Sequence, residues 1–571
     1  MGLTSSLQIG RSGLLTHQAG IEVTGHNLAN VATPGFKRER LEVGAAGQRP
    51  IGRDQFVGQG VELTPVTRQV SEAVETRLRG AVSDRNGAAV LQQRLERLEA
   101  LQNELSGAGL SDGLDRYFNT WSQLSVNPQD PASRGLVVSE GVALAAQLQD
   151  LRSGYVDLAG ESSALLAEGV ADANRILDEI DAVNVAIRQQ EGGSGGEAGA
   201  LRDRRDGLLS QLAEHVDITV NELNDGEIDV FVGSIPVVLD GRSRGLRTET
   251  REIGGVDTTV LVTGAEGEAT ALTPGSGGLA AQLAFANEGI ASATEALDEV
   301  AAQLIFQVNR AHSQGRGLTP ADRHVASYAV ADADAALSDR EATGLAFAAN
   351  HGTLSVSVSN GPGGADRTTT IDVNLDGASG TPTTLNMLAA ALDAVDGVSA
   401  SVDATGRLTV AGDTPGTSVA FADDTAGVLA TLGVNGFFAG SDASDIAVAA
   451  EVSGDPRRLA AGRGPNPGDN RGALAAAGVR DAAVPELGGR SVTQRWADRV
   501  AADASELARV RQSAAAAVTV AEGLSAQQAA VSGVNADEET INLLQHQRAY
   551  QASARYLSVV DEMLETVLRL V

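Results

Sequence analysis

The sequence predicts an α+β, multidomain chain. Helices from its two ends pair as a coiled coil or helical bundle, and a β-rich insert lies between them in the chain. Three observations predict this. Both ends carry amphipathic helical stripes, the interior switches to a period of two, and helical spacing returns before the C-terminus.

At the start, Leu3, Leu7, Gly10, Leu14, His17, Ile21, Thr24 and Leu28 recur at alternating steps of four and three. At the finish, Leu543, Tyr550, Leu557, Leu564 and Val571 recur every seven residues, with Gln547, Ala554, Asp561 and Leu568 between them. Such stripes bury against another helix, either the opposite end of the same chain or that of a neighbouring copy. Both readings are open from pattern alone.

The first helix is expected over 1–32. It stops at Thr33-Pro34-Gly35, because the residue before proline leaves the helical region and glycine permits a turn. Asn27 and Asn30 lie near that end, where an amide can cap the helix or bridge to a neighbour. Residues 36–85 read as mixed, with strand-like runs at 60–63 and 66–70. Helix is expected again at 86–106 (Leu91, Leu95, Leu98, Gln102, Leu105), at 134–150, and in a long stretch with Leu166, Val170, Ala173, Leu177, Ile180, Asn184 and Ile187 at heptad steps. Gly192-Gly193-Ser194-Gly195-Gly196 is a flexible break before helix at 199–215. These helices suggest a bundle.

Period two begins at Val216–Val220 and Ile228–Val232, with Asn224-Asp225-Gly226 as a hairpin turn. Strands continue to about 270, and helix follows at 278–312. Between 325 and 455 the chain is rich in Gly, Thr, Ser, Asp and Val, and runs such as Leu354–Val358 alternate cleanly. One helix is expected near 384–395. Gly462–Arg471 is a loop, and helix dominates from 491 onward. The expected domains are 1–45 with 533–571 (terminal coiled coil), 46–324 with 456–532 (helical bundle with hairpins at about 216–270), and 325–455 (β-rich insert); the family resemblance given below implies that the first is innermost and the last outermost.

Composition narrows the function. The 571 residues suggest about four domains at roughly 150 residues each. A formal net charge of -31 argues against nucleic-acid or anionic-membrane binding, since both need a basic surface. Lys37 is the only lysine, which reads as codon or habitat bias. The absence of cysteine excludes disulfides and thiolate chemistry, and suits a secreted bacterial protein. No apolar run spans a membrane, and no basic segment with an apolar core opens the chain, so export would need a signal-independent route.

Enzyme motifs fail on context. Gly241-Arg242-Ser243-Arg244-Gly245 has nucleophile-elbow spacing, but strand-like Leu246–Thr250 follows where a helix is needed. Asp372-Val373-Asn374-Leu375-Asp376-Gly377 opens like a calcium loop, yet Thr383 stands where a bidentate Glu is required. The seven histidines show no short metal-ligand spacing. No catalytic residue, cofactor or metal is expected.

Asn27-Leu28-Ala29-Asn30-Val31-Ala32-Thr33-Pro34-Gly35-Phe36-Lys37-Arg38 resembles the signature of the bacterial flagellar rod, hook and hook-associated proteins. Ser532-Gly533-Val534-Asn535-Ala536-Asp537-Glu538-Glu539, with Gln545–Ala552 and Asp561–Leu564, is similar to the matching end segment. Its opening is closest to the hook-associated branch at the first junction between hook and filament. Val308-Asn309-Arg310-Ala311-His312 and Gly436–Ala443 are weaker likenesses within the same family.

The resemblance implies a structural subunit of the hook–filament junction in the extracellular flagellum, with no catalytic site. Assembly would be carried by Leu3, Leu7, Leu14, Ile21, Asn27, Leu28, Asn30, Pro34, Gly35, Phe36, Leu543, Tyr550, Leu557, Leu564 and Val571. Implied partners are further copies in a ring, the hook protein, the second junction protein, an export chaperone on the C-terminal helices and the flagellar type III export apparatus. A hook or distal rod subunit is the nearest alternative. A secreted hydrolase or adhesin acting through 325–455 is the second.

Overall fold

The computed structural model describes residues 2–50, 56–192, 196–253, 256–264, 269–360, 366–377 and 380–570; the side chains of Leu3, Asn360 and Leu570 also fall outside the description. The fold is α+β, with the terminal helices paired and a β-rich insert in the middle of the chain. Two compact units are present, one of residues 1–94, 161–287 and 508–571, the other of 95–160 and 288–507.

In the first unit, the second half of a 61-residue helix (Pro131–Glu191) lies on a β-meander. The expected stripe from Leu166 to Ile187 is buried throughout, against Leu208, Leu209 and Leu212 of the helix Gly199–His215 and against Ile228, Val230 and Val238 of the sheet. Burying one such aliphatic side chain is worth about 1.5–3 kcal/mol. The stripe's single amide, Asn184, is fully buried and satisfied: Nδ2 donates to the Ile228 and Gly241 carbonyls, and Oδ1 accepts from Arg205. The meander runs Thr219–Glu222, Ile228–Val232, Ile235–Leu239, Arg242–Ser243, so the elbow-like motif is the last tight turn of a sheet. A second antiparallel sheet orders Thr270–Leu272, Val256–Thr263 and Leu246–Ile253.

In the second unit, five aromatic residues meet at one point. Tyr117, Phe118 and Trp121 lie buried on a helix (Leu110–Val126) against Phe437 and Phe438, whose rings meet edge to face at 4.7 Å. The two internal motifs build this joint together. Asn309 Oδ1 accepts from the backbone N–H groups of Phe437 and Phe438 at 2.8 Å each, and its Nδ2 donates to the Phe438 carbonyl. His312 Nε2 accepts from Ala460 N at 2.9 Å, which makes Nδ1 the protonated nitrogen facing the Asn435 carbonyl at 2.8 Å.

The β-rich insert also lies in this unit. Gly352–Asn360 is flanked by Arg367–Val373 and Thr417–Ala422, and a second sheet orders Arg323–Val325, Leu408–Gly412 and Val398–Val402. Leu354, Val356 and Val358 face a core closed by Leu385, Leu388 and Leu392 of the helix Leu385–Asp393. On the other face, Ser355 and Ser357 pair hydroxyls with Thr370 and Thr368.

Four elements differ from expectation. Helix begins at Glu72, inside the stretch read as mixed, because Gly80 and Gly87 hide its period. Gly87 is required there: a Cβ would stand 2.9 Å from Gly277 N. Leu105 is not in the stripe; the helix ends at Gln102, Asn103 turns left-handed, and Leu105 is 93% exposed. The helix Leu110–Val126 was not expected, since its aromatic stripe is short. The predicted helix at 278–312 is broken by a π turn at Phe285–Ile290. Residues 193–195 of the glycine break lie outside the described residues.

Complete burial lowers the His312 pKa to about 4. Its neutral form therefore contributes stability above pH ~6.5 that is lost as pH falls toward 4, about 3 kcal/mol in all. Hydrogen exchange at Phe437, Phe438 and Ala460 should accelerate across that window; unchanged protection between pH 7 and 4.5 would contradict the assignment.

Candidate assembly interface

The first helix (Gly2–Ala29) and the last (Ala536–Leu570) run antiparallel along most of their length. Their seam consists of small residues. A Cβ on Gly10 would stand 2.7 Å from Leu557 Cδ2, one on Gly13 3.0 Å from Ser553 Oγ, and one on Gly20 2.5 Å from the His546 ring. Gly10, Gly13, His17, Gly20, Thr24 and Asn27 keep the three-four step, and all but the half-buried His17 are buried. Each mid-helix glycine costs about 1 kcal/mol of helix propensity. The close approach is what that cost allows.

The predicted leucine stripe of the first helix is one step off the seam. Leu7, Leu14, Ile21 and Leu28 are only half-buried. On the last helix, Leu543, Tyr550, Leu557 and Leu564 do lie along the seam, half-buried. The positions between them are His546, Ser553 and Val560 rather than Gln547, Ala554, Asp561 and Leu568, because the step is three then four. Gln547, Asp561 and Leu568 are exposed. The Leu3 side chain and Val571 lie outside the described residues.

At the seam's centre, His17 Nδ1 and His546 Nδ1 face each other at 3.4 Å, so one donates and the other accepts. Burial, and then the charge of His546, hold His17 below its ordinary pKa.

The two end motifs meet where the seam closes. Asn27 Nδ2 donates to the Glu39 carbonyl (2.8 Å) and to Glu539 Oε2 (3.1 Å), and its Oδ1 accepts from Glu39 N (2.9 Å). Arg38 pairs with Glu539 at 2.6 Å and Glu538 at 3.1 Å, while its backbone N–H donates to the Ser532 carbonyl. The acidic run also opens the last helix, where Asn535 Oδ1 accepts from Asp537 N. Lys37 is 5% exposed and pairs with buried Glu75, whose carboxylate also accepts from Gln528. The sole lysine is thus a buried tie between segments, not a compositional accident. Lys37 N donates to Asp203 as well.

Asn30 caps locally, donating to the His26 carbonyl and accepting from Thr33 Oγ1. Pro34 and Gly35 are exposed in the turn, with Gly35 at φ +80°. Phe36 stands edge-on to His26 at 5.4 Å. From this turn a ribbon of Glu39–Ala45 paired with Val61–Arg68 returns along the first helix, where Val61 N donates to Ser12 Oγ. Sequence reasoning missed Gly13, Gly20, Lys37, Arg38 and Glu539 as contact residues, whereas Gly10, His17 and Thr24 stood in its stripe. The lone lysine and the glycine spacing were the available signals.

The model for the helical domain of flagellar hook-associated protein FlgK matches residues 95–322, and the model for the C-terminal segment of flagellar basal body rod FlgEFG proteins matches 527–570. Flagellar hook-associated protein 1 of Escherichia coli K12 is 24% identical over the whole of both chains. The same protein of Bacillus subtilis is 26% identical over 42% of this chain and 49% of its own. The flagellar hook junction protein FlgK of Burkholderia pseudomallei shares the fold at a TM-score of 0.50 and 16% identity, covering 80% of this chain and all of its own.

The chain is similar to flagellar hook-associated protein 1 along its whole length.

In this chain the paired ends still expose apolar side chains. Ile541, Leu544, Val559, Met563 and Val567 lie on the last helix away from the first, each about half exposed. Isolated exposed leucines are ordinary, whereas a row of this length is not.

Gly20→Val would push His546 against His17 and cost about 1–3 kcal/mol, more than the propensity it gains. Exchange of amides in 2–29 and 536–570 should rise at least about tenfold; unchanged rates would show that the seam tolerates a branched side chain. Lys37→Met leaves Glu75 buried without its cation and should destabilise by about 3–5 kcal/mol, read from the urea midpoint of the same segments.

Proposed function

We propose that this chain is a structural subunit of the bacterial flagellar hook–filament junction and acts mechanically, without catalysis. The carrying observation is the terminal pair: two helices, held by contacts between the family's own end motifs, with apolar rows left uncovered. A soluble chain with such rows gains by packing them against further copies. In that reading Leu7, Leu14, Ile21, Leu28, Leu543, Tyr550, Leu557 and Leu564 contribute to contacts between subunits, while Asn27, Asn30, Pro34, Gly35 and Phe36 hold the turn that positions them. Leu3 and Val571 would extend the same surface.

The layering proposed is 1–45 with 533–571 innermost, 46–324 with 456–532 next and 325–455 outermost. The net charge of -31 would keep exported subunits apart until the apolar rows meet. The partners are then a ring of identical copies, the hook protein on one side and the second junction protein on the other. An export chaperone would cover the C-terminal helices before assembly, and the type III apparatus would carry the chain out. Four interior glycines leave the first helix poorly stable by itself, so before assembly the last helix's seam face is open for such a chaperone to cover.

Deleting residues 541–571 in the native host tests the reading. Intact hooks without filaments, with flagellin released to the medium, are expected. Missing hooks would indicate a hook or rod subunit instead, and normal filaments with normal swimming would overturn the flagellar role of this segment.

A further inference from the structure

The second unit contains a cleft of about 700 Å³ between the base of the β-rich insert and the loop 462–469. Its lining is unusual for a chain this acidic, because four arginines reach it: Arg134, Arg316, Arg407 and Arg458. Two carboxylates, Glu451 and Asp469, share the lining. Most of these charges are already matched. Arg458 pairs with Glu451 at 3.3 Å, Asp469 with Arg471 at 2.7 Å, and Arg316 with Asp366 at 2.8 Å.

Arg134 and Arg407 are not matched in this way. Arg134 is 1% exposed, and its guanidinium donates only to two backbone carbonyls, from Nε to Pro128 at 2.7 Å and from Nη1 to Leu459 at 2.6 Å. Among the described residues, no carboxylate pairs with the group. Burial lowers its pKa to about 10, so it stays cationic at neutral pH. A buried charge without a counter-ion is costly, and natural interiors supply a partner. Arg407 is exposed at the rim, near Asp403 but without an ion pair among the described residues.

We propose that this cleft binds a small aliphatic polycarboxylate through Arg134 at its floor and Arg407 at its rim. Guanidinium forks favour carboxylate oxygens, which they grip in a bidentate manner. The volume lies in the range of small-ligand sites. No phenylalanine, tyrosine or tryptophan lines the cleft, so a stacked sugar or nucleobase finds no platform. The ligand would span from the 315–321 segment to the 462–469 loop and brace the insert at its base.

The test is titration calorimetry of the full chain with citrate, at ionic strength matched by sodium chloride. Citrate should bind with Kd below about 1 mM, and Arg407→Ala, at an exposed position, should weaken it at least about tenfold. Hydrogen exchange on the same complex should slow at 315–321 and 462–469. Absence of binding beyond the chloride control, equal affinity in Arg407→Ala, or protection confined to other segments would each overturn the proposal. None of these outcomes depends on the junction reading.

Discussion

The structure of the chain's ends depends on one side chain, Asn27. It reads both backbone groups of Glu39 and the carboxylate of Glu539, a residue 512 positions away in sequence. An amide suits this place because it donates and accepts at once. Asp would repel Glu539, and Leu would leave the Glu39 groups to water. Arg38 then closes the same corner by pairing with Glu539 and Glu538. The first helix, the ribbon that follows it and the start of the last helix thereby share one fixed point.

From that point the seam runs along glycines. Each weakens the first helix taken alone, and each lets the last helix come closer than a Cβ would allow. The two effects have opposite signs, so this helix depends on its partner for order. The same geometry explains why the large apolar side chains of the first helix lie beside the seam and not within it. Leu7, Leu14, Ile21 and Leu28 remain only half covered, as do residues on the far side of the last helix. Pairing within the chain thus leaves apolar side chains half covered on both helices. The two alternatives left open by the heptad pattern are therefore not exclusive.

The second unit uses a comparable device at a different scale. Asn309 and His312, one turn apart, clasp the backbone at Asn435–Phe438 and at Ala460, so the chain leaving the insert is tied to the helix that precedes it. These side chains were legible in the sequence only as motif letters. Their work is to bind backbone, and backbone partners leave no pattern of residue types. Leu166–Ile187 and Leu354–Val358 were legible, because there the period itself states which face is buried. The helix from Glu72 was not, since Gly80 and Gly87 break its period for the sake of a close contact with Gly277.

By itself the sequence determined the order of helical, β-rich and helical segments, the paired character of the ends and the family likeness of the end motifs. Each of those is written in local periodicity or in contiguous motifs. Only the tertiary structure decided that glycines line the seam, that the single lysine is buried against Glu75 and Gln528, and that the two end motifs touch. Those facts concern distances between residues hundreds of positions apart, and the hydrophobic period of one helix carries no information about how closely another approaches it.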